Sequence, residues 1–258
     1  MGEMAIRKAK HEAKKLLEKY GICSPEDIRI EDIAWLCGAQ VSVGPLHHAA
    51  ARITITDKNA QIRVRENDDE GRIRFSIGHE LGHLTLHKNK IQSFKACSEI
   101  DLLQWSENAE QEYEANTFSS ELLLPSFMMT KKCDVAEVNL DHVKSIANEF
   151  RTSLTATALK FVELCPEACA VLMSNKDGIL WWRKNDEFPF GLKKNEEVRK
   201  GTLTFDVFHE RTVTLEPECV WASAWLKNSQ LDRDAEIIEH VVPMPNLGIA
   251  LTLLWYRP

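Results

Sequence analysis

The stretch RFSIGHELGHLTLH, residues 74–87, sets three histidines at a spacing of four, His79, His83 and His87, with Glu80 beside the first. Residues four apart share a helix face, about 6 Å apart along the axis. His79 and His83 can therefore turn their imidazoles onto one ion. Glu80 is rotated by about 100° from His79. It cannot chelate in line with both histidines, but it can lean over a water held on the ion. That is the physical content of an H-E-x-x-H pattern. His87 shares the face but sits about 12 Å along the axis from His79, and one straight helix cannot wrap a tetrahedral site around three in-line ligands. The glycine turn that precedes the third histidine of an HExxHxxGxxH site is also absent. His87 is expected to be a helix-end residue whose imidazole meets exposed carbonyls.

A third ligand has to come from elsewhere, and EQEYEAN, on the next helical pattern, offers Glu110, Glu112 and Glu114. Glu112 and Asn116 are four apart and share a face. An amide one turn after a ligand carboxylate can hydrogen-bond the back nitrogen of a ligand histidine and fix its tautomer. Glu112 has such a helper and Glu114 does not, so Glu112 is the preferred ligand and Glu114 the alternative. Two histidines and one glutamate leave a fourth zinc position for water, whose pKa zinc lowers to about 7. Glu80 would take that water's proton and pass it to the leaving amine. Zinc is the default ion for this donor set; Mn²⁺ and Fe²⁺ suit it too. His47, His48, Tyr113 and His142 are all open as oxyanion-stabilising groups.

The rest of the composition narrows the setting. A net charge of −7 argues against a broad nucleic-acid footprint. No apolar run reaches the length of a membrane span, and the amphipathic N-terminal segment has no signal core. Met1-Gly2 is not followed by Ser or Thr at position 6, so a myristoylation motif fails. Seven scattered cysteines, at 23, 37, 97, 133, 165, 169 and 219, read as reduced thiols of a cytoplasmic protein. The CPEAC pair, Cys165 and Cys169, reads as packing rather than as a zinc site.

Helical patterns cover 4–20, 31–37, 72–87, the segment from 109 to Pro125, 141–150 and 153–164, and a β-hairpin covers 52–65. Residues 89–108 form a long connection. After Cys165 the texture changes to two hairpins, ACAVLMS-NKDG-ILWWRK and EIIEHVVPM-PNLG-IALTLLWYR. The fold class is α+β, in three parts: a zincin-like domain over 1–135, a helix-turn-helix-like segment over 136–165, and a sheet-based α+β domain over 166–258.

RFSIGHELGHLTLH, EYEANTFSSELLLP and SIANEFRTSLTATALKFVEL together resemble the ImmA/IrrE family of bacterial metallopeptidases, over residues 5–165. The resemblance implies a gluzincin-like fold, His79, His83 and Glu112 as zinc ligands, Glu80 as catalytic base and Asn116 behind the site. It also implies site-specific cleavage of a helix-turn-helix transcriptional repressor in a stress or signal response. For 166–258 it implies a GAF-like sensor that binds a small-molecule signal. Two small residues depart from the family pattern: Gly78 and Ser119 each stand where alanine is usual.

A reading from another class takes IANEFRTSLTATALKFV as a DNA-binding helix-turn-helix, with Thr155, Thr157 and Lys160 facing outward and a non-catalytic zinc site. A repressor-binding scaffold without cleavage belongs to the same class. The few basic residues of 141–161 disfavour direct DNA contact, and an intact Glu80 disfavours a pure scaffold.

Overall fold

The computed structural model describes residues 3–46, 49–56, 59–87, 110–192, 194–209, 214–226 and 235–257. The connection 89–108, His47, His48 and Cys97 lie outside them. The chain divides into two compact units: Met1–Met128 with Ala147–Ser153, and Met129–Ile146 with Leu154–Pro258. The architecture is mixed α+β.

The first unit opens with α1 (Glu3–Lys19) and α2 (Ile30–Leu36). Three strands follow, β1 (Ala39–Gly44), β2 (Ala51–Ile55) and β3 (Ala60–Arg65). They form a sheet in the order β1-β3-β2, with β3 antiparallel to β2 and parallel to β1. The anticipated hairpin is thus joined by a third strand that pairs across it. Ile53, Ile62 and Val64 alternate inward along β2 and β3.

The next helix, α3 (Glu70–His87), carries the HExxH stretch. Its start is set by two aspartates with different tasks. Asp69 Oδ1 accepts the Arg72 N–H at 3.0 Å, a helix-capping bond, whereas Asp68 is held by Arg65 at 2.6 Å. Against this first turn lies the 147–153 segment: Arg151, at φ 55°, pairs with Glu70. A Cβ on Gly71 would fall 2.6 Å from the Ser153 backbone nitrogen, so only glycine fits there.

α4 (Glu110–Leu123) packs against both α3 and α1. Ile77 and Leu81 on α3 and Phe118 and Leu122 on α4 are fully buried, an apolar stripe at four-residue spacing on each helix. Pro125 does end α4, but it also opens α5 (Ser126–Cys133), which the sequence reading lacked. The Glu121 carboxylate bridges the break, accepting the Ser126 N–H at 2.9 Å and its hydroxyl at 2.7 Å.

Helices α6 (Leu140–Phe150) and α7 (Leu154–Leu164) follow. The helix-turn-helix reading turned Thr157 and Lys160 outward, and here the structure corrects it. Thr157 is fully buried and Lys160 is 1% exposed, its Nζ 3.3 Å from both carboxylate oxygens of Glu163.

In the second unit, β4 (Cys169–Asn175), β5 (Gly178–Lys184), β6 (Glu218–Trp221), β7 (Glu236–Met244) and β8 (Ile249–Trp255) form an antiparallel sheet in the order β5-β4-β8-β7-β6. Two short helices, α8 (Leu203–Phe208) and α9 (Ala222–Trp225), accompany it. Leu172, Ile179, Phe188, Trp225 and Leu254 anchor its core. Glu239 is buried in this unit and accepts the Leu203 and Thr204 N–H groups, the Thr204 hydroxyl and the Trp225 indole N–H. Cys133, Cys165 and Cys169 are all buried here as free thiols, and burial pushes Cys133 up to about 12. No helix of the described residues is long and apolar enough to cross a membrane.

The two departures from the family pattern turn out to be one. A Cβ on Gly78 would lie 2.5 Å from Ser119 Oγ, and that hydroxyl donates to the Phe75 carbonyl at 2.9 Å. The missing methyl makes room for the extra oxygen. Gly78→Ala alone should lower stability by about 1 kcal/mol, because displacing the hydroxyl outweighs a helix-propensity gain of similar size. In a Ser119→Ala background the same change should stabilise. A double-mutant cycle by urea unfolding checks for this reversal of sign.

Candidate metal centre

His79 and His83 stand one turn apart on α3, and Glu112 stands on the first turn of α4. The two helices meet at backbone distance. A Cβ on Gly82 would lie 2.9 Å from Ala115 Cα and 3.1 Å from its carbonyl oxygen. Gly82 precedes His83 and Ala115 precedes Asn116, so this close approach sets donors of both helices face to face.

The result is a small triangle of acceptor atoms. His79 Nε2 and His83 Nε2 are 3.0 Å apart, and Glu112 places its oxygens 3.2 Å from the first and 3.3 Å from the second. Ligand atoms about 2.0–2.1 Å from a common tetrahedral centre are about 3.3 Å from one another. Among the described residues, His79, His83 and Glu112 are the group of three such side chains with donor atoms within 4.8 Å of one another. Both imidazoles are buried and the carboxylate is 18% exposed.

Hydrogen bonding behind the triangle fixes what the imidazoles present to it. Asn116 Oδ1 lies 2.8 Å from His79 Nδ1 and can only accept, so Nδ1 carries the hydrogen and a neutral His79 offers the Nε2 lone pair. Lone pairs and a carboxylate converging at 3.0–3.3 Å repel unless positive charge lies among them. The same charges pull on the protonation of the two rings. Burial disfavours a charged His79, yet the Glu112 and Glu80 carboxylates raise its pKa overall. On His83 burial prevails, and its pKa is lowered. The donors present fit a divalent cation.

Glu80 is 2% exposed. Burial raises its carboxyl to about 7, against the pull of His79 and of the Ile53 backbone N–H, which donates to it. It is thus a buried carboxyl group on the residue next to His79.

Glu114 is absent from the triangle. Its Oε2 lies 2.6 Å from His87 Nε2. His87 does end α3, as expected, but its ring meets side chains rather than carbonyls: it is buried, with its Nδ1 3.3 Å from His83 Nδ1. The sequence reading missed this pair because its partners come from different helices. Tyr113 lies between Glu112 and Glu114 on α4. His142 belongs to the second unit, where its Nε2 bonds the Lys132 carbonyl at 2.7 Å.

A buried two-histidine, one-carboxylate cluster on an HExxH helix and its neighbour defines a class of metal-site proteins. Residues 38–161 match the family described as the IrrE N-terminal-like domain (Peptidase_M78). The chain is 30% identical over 125 residues to the uncharacterized immunity region protein 2 of Bacillus phage phi105, spanning 45% of this chain and 68% of that protein. The chain belongs to the ImmA/IrrE family. A solved structure described as a Mycobacterium tuberculosis transcriptional regulator shares the fold, with a TM-score of 0.63 at 14% identity over 97% of this chain and 76% of that one.

The purified chain should take up one Zn²⁺ per molecule, and Glu112→Ala should reduce that to a small fraction, as metal analysis after gel filtration would show.

Proposed function

We propose that the chain is a metal-dependent endopeptidase that cuts a helix-turn-helix transcriptional repressor at a specific bond, in the cytoplasm, in response to stress or another signal. The observation that carries this reading is the donor triangle with Glu80 buried beside it. A structural ion would need the triangle alone; a buried carboxylate next to it suits proton transfer.

In this reading His79, His83 and Glu112 hold the ion, with Zn²⁺ the natural occupant and Mn²⁺ or Fe²⁺ acceptable to the same donors. When bound, the ion supplies Lewis acidity, making water a nucleophile at neutral pH and polarising the scissile carbonyl. Glu80 accepts the proton of the attacking water and returns it to the leaving amine nitrogen. The Ile53 N–H steadies the Glu80 carboxylate between the two transfers. Asn116 keeps the His79 Nε2 lone pair turned to the ion.

The partner follows from context. The phage relative is named for an immunity region and the structural neighbour for transcriptional regulation, which supports a repressor as substrate. Burial of Thr157 and Lys160 removes two of the side chains that a DNA-reading helix would have to present. In the same proposal, 1–135 is the zincin-like catalytic domain and 136–165 a helix-turn-helix-like helical segment. The antiparallel sheet of 166–258 is a GAF-like sensor for a small-molecule signal.

Glu80→Gln separates catalysis from binding. The variant should keep its Zn²⁺ and its repressor affinity and lose about 10²–10⁴ in cleavage rate. Cleavage at the wild-type rate would remove Glu80 from the mechanism.

A further inference from the structure

We propose that His87 and Glu114 are positioning residues that act together, through His83, to set the metal affinity of the triangle. The proposal rests on the reading of His79, His83 and Glu112 as metal ligands, and it gives work to two residues that reading leaves idle.

With His87 neutral, the geometry sets a proton order. Glu114 Oε2 lies 2.6 Å from His87 Nε2. A carboxylate only accepts, so the hydrogen is on His87 Nε2. A neutral His87 then has its lone pair on Nδ1, which lies 3.3 Å from His83 Nδ1. Two bare ring nitrogens would repel at that distance, so His83 Nδ1 carries the hydrogen and donates it. The Nε2 of His83 is left as a lone pair, and Nε2 is the atom that faces His79 and Glu112. A carboxylate that never touches His83 thereby selects its tautomer, with one imidazole as the relay.

The arrangement is sheltered. The side chains of His83, His87 and Glu114 are 1%, 2% and 13% exposed, so water competes little for these bonds. α4 then backs both ligand histidines: Asn116 directly behind His79, and Glu114 through His87 behind His83. The negative charge at the far end of the relay also makes the His83 ring a stronger donor to a cation, as carboxylates behind ligand imidazoles do.

The test uses the full chain, with Zn²⁺ titrated in competition with a chromophoric chelator. The variants are His87→Leu, Glu114→Leu and the pair, and the melting temperature of each is measured without metal. Each single change should weaken Zn²⁺ binding about 10–100-fold. The double variant should bind no more weakly than His87→Leu, because Glu114 acts only through that ring. Glu114 is the more exposed of the two, so Glu114→Ala carries the test if His87→Leu fails to fold. A purely packing role predicts a lower melting temperature with Zn²⁺ affinity within threefold of wild type, and that outcome overturns the proposal. So does a further loss from Glu114→Leu once His87 is gone. Zn²⁺ affinity unchanged by His83→Ala would instead show that the metal-centre reading itself has failed, and the proposal with it.

Discussion

Everything at the site depends on how closely α3 and α4 approach. Side chains on two helices can share a triangle only 3.0–3.3 Å on an edge when the backbones behind them nearly touch. Gly82 and Ala115 allow that contact, because any Cβ on Gly82 would overlap the α4 backbone. The glycine of HELGH therefore does more than fill a variable position. It replaces a side chain with the neighbouring helix itself, and Ala115 keeps the other surface equally low. The apolar stripes of Ile77, Leu81, Phe118 and Leu122 hold the two helices in this register, with close packing rather than a flexible loop as the scaffold.

The electrostatic consequence is a buried site built against its own charge. Two imidazole lone pairs and a carboxylate converge, with a second carboxylate, Glu80, buried alongside. Left alone, such a group disfavours the compact state. A bound cation reverses the sign of the interaction, so the arrangement that destabilises an empty site favours metal. The groups behind the triangle follow the same logic. Asn116 accepts a hydrogen on the far side of the His79 ring, and the role proposed for the His87–Glu114 pair does the same for His83, which leaves the near sides basic.

Sequence spacing made part of this legible. His79, Glu80 and His83 are related by one helix, so helix periodicity alone places them. Glu112 stood out because Asn116 lies one turn beyond it, again a relation within one helix. The same rule failed for His87 and Glu114, whose relation is between helices and leaves no periodic trace. It failed for Gly78 and Ser119 too, which read as separate departures and prove to be one packing exchange. Lys160 was misplaced for a different reason: a lysine on a short helix reads as solvent-facing, but its apolar stem tolerates burial when a carboxylate such as Glu163 meets its tip. The parallel pairing of β1 with β3 was out of reach because strand partnership across the sheet is a long-range choice. The helix Ser126–Cys133 was hidden by reading Pro125 only as a stop, when a proline can equally precede a helix start.

Family membership and the geometry of the triangle agree on a metal centre; a peptidase is defined by the bond it breaks. The most direct measurement is incubation with the repressor encoded nearest to its gene, in water enriched in ¹⁸O, with mass spectrometry of the products. Hydrolysis by a metal-activated water predicts two fragments from one bond, a single ¹⁸O in the new carboxyl terminus, and no fragments once a chelator is present. An intact repressor in the presence of Zn²⁺ and the activating condition, or fragments that persist undiminished with chelator, would contradict the account.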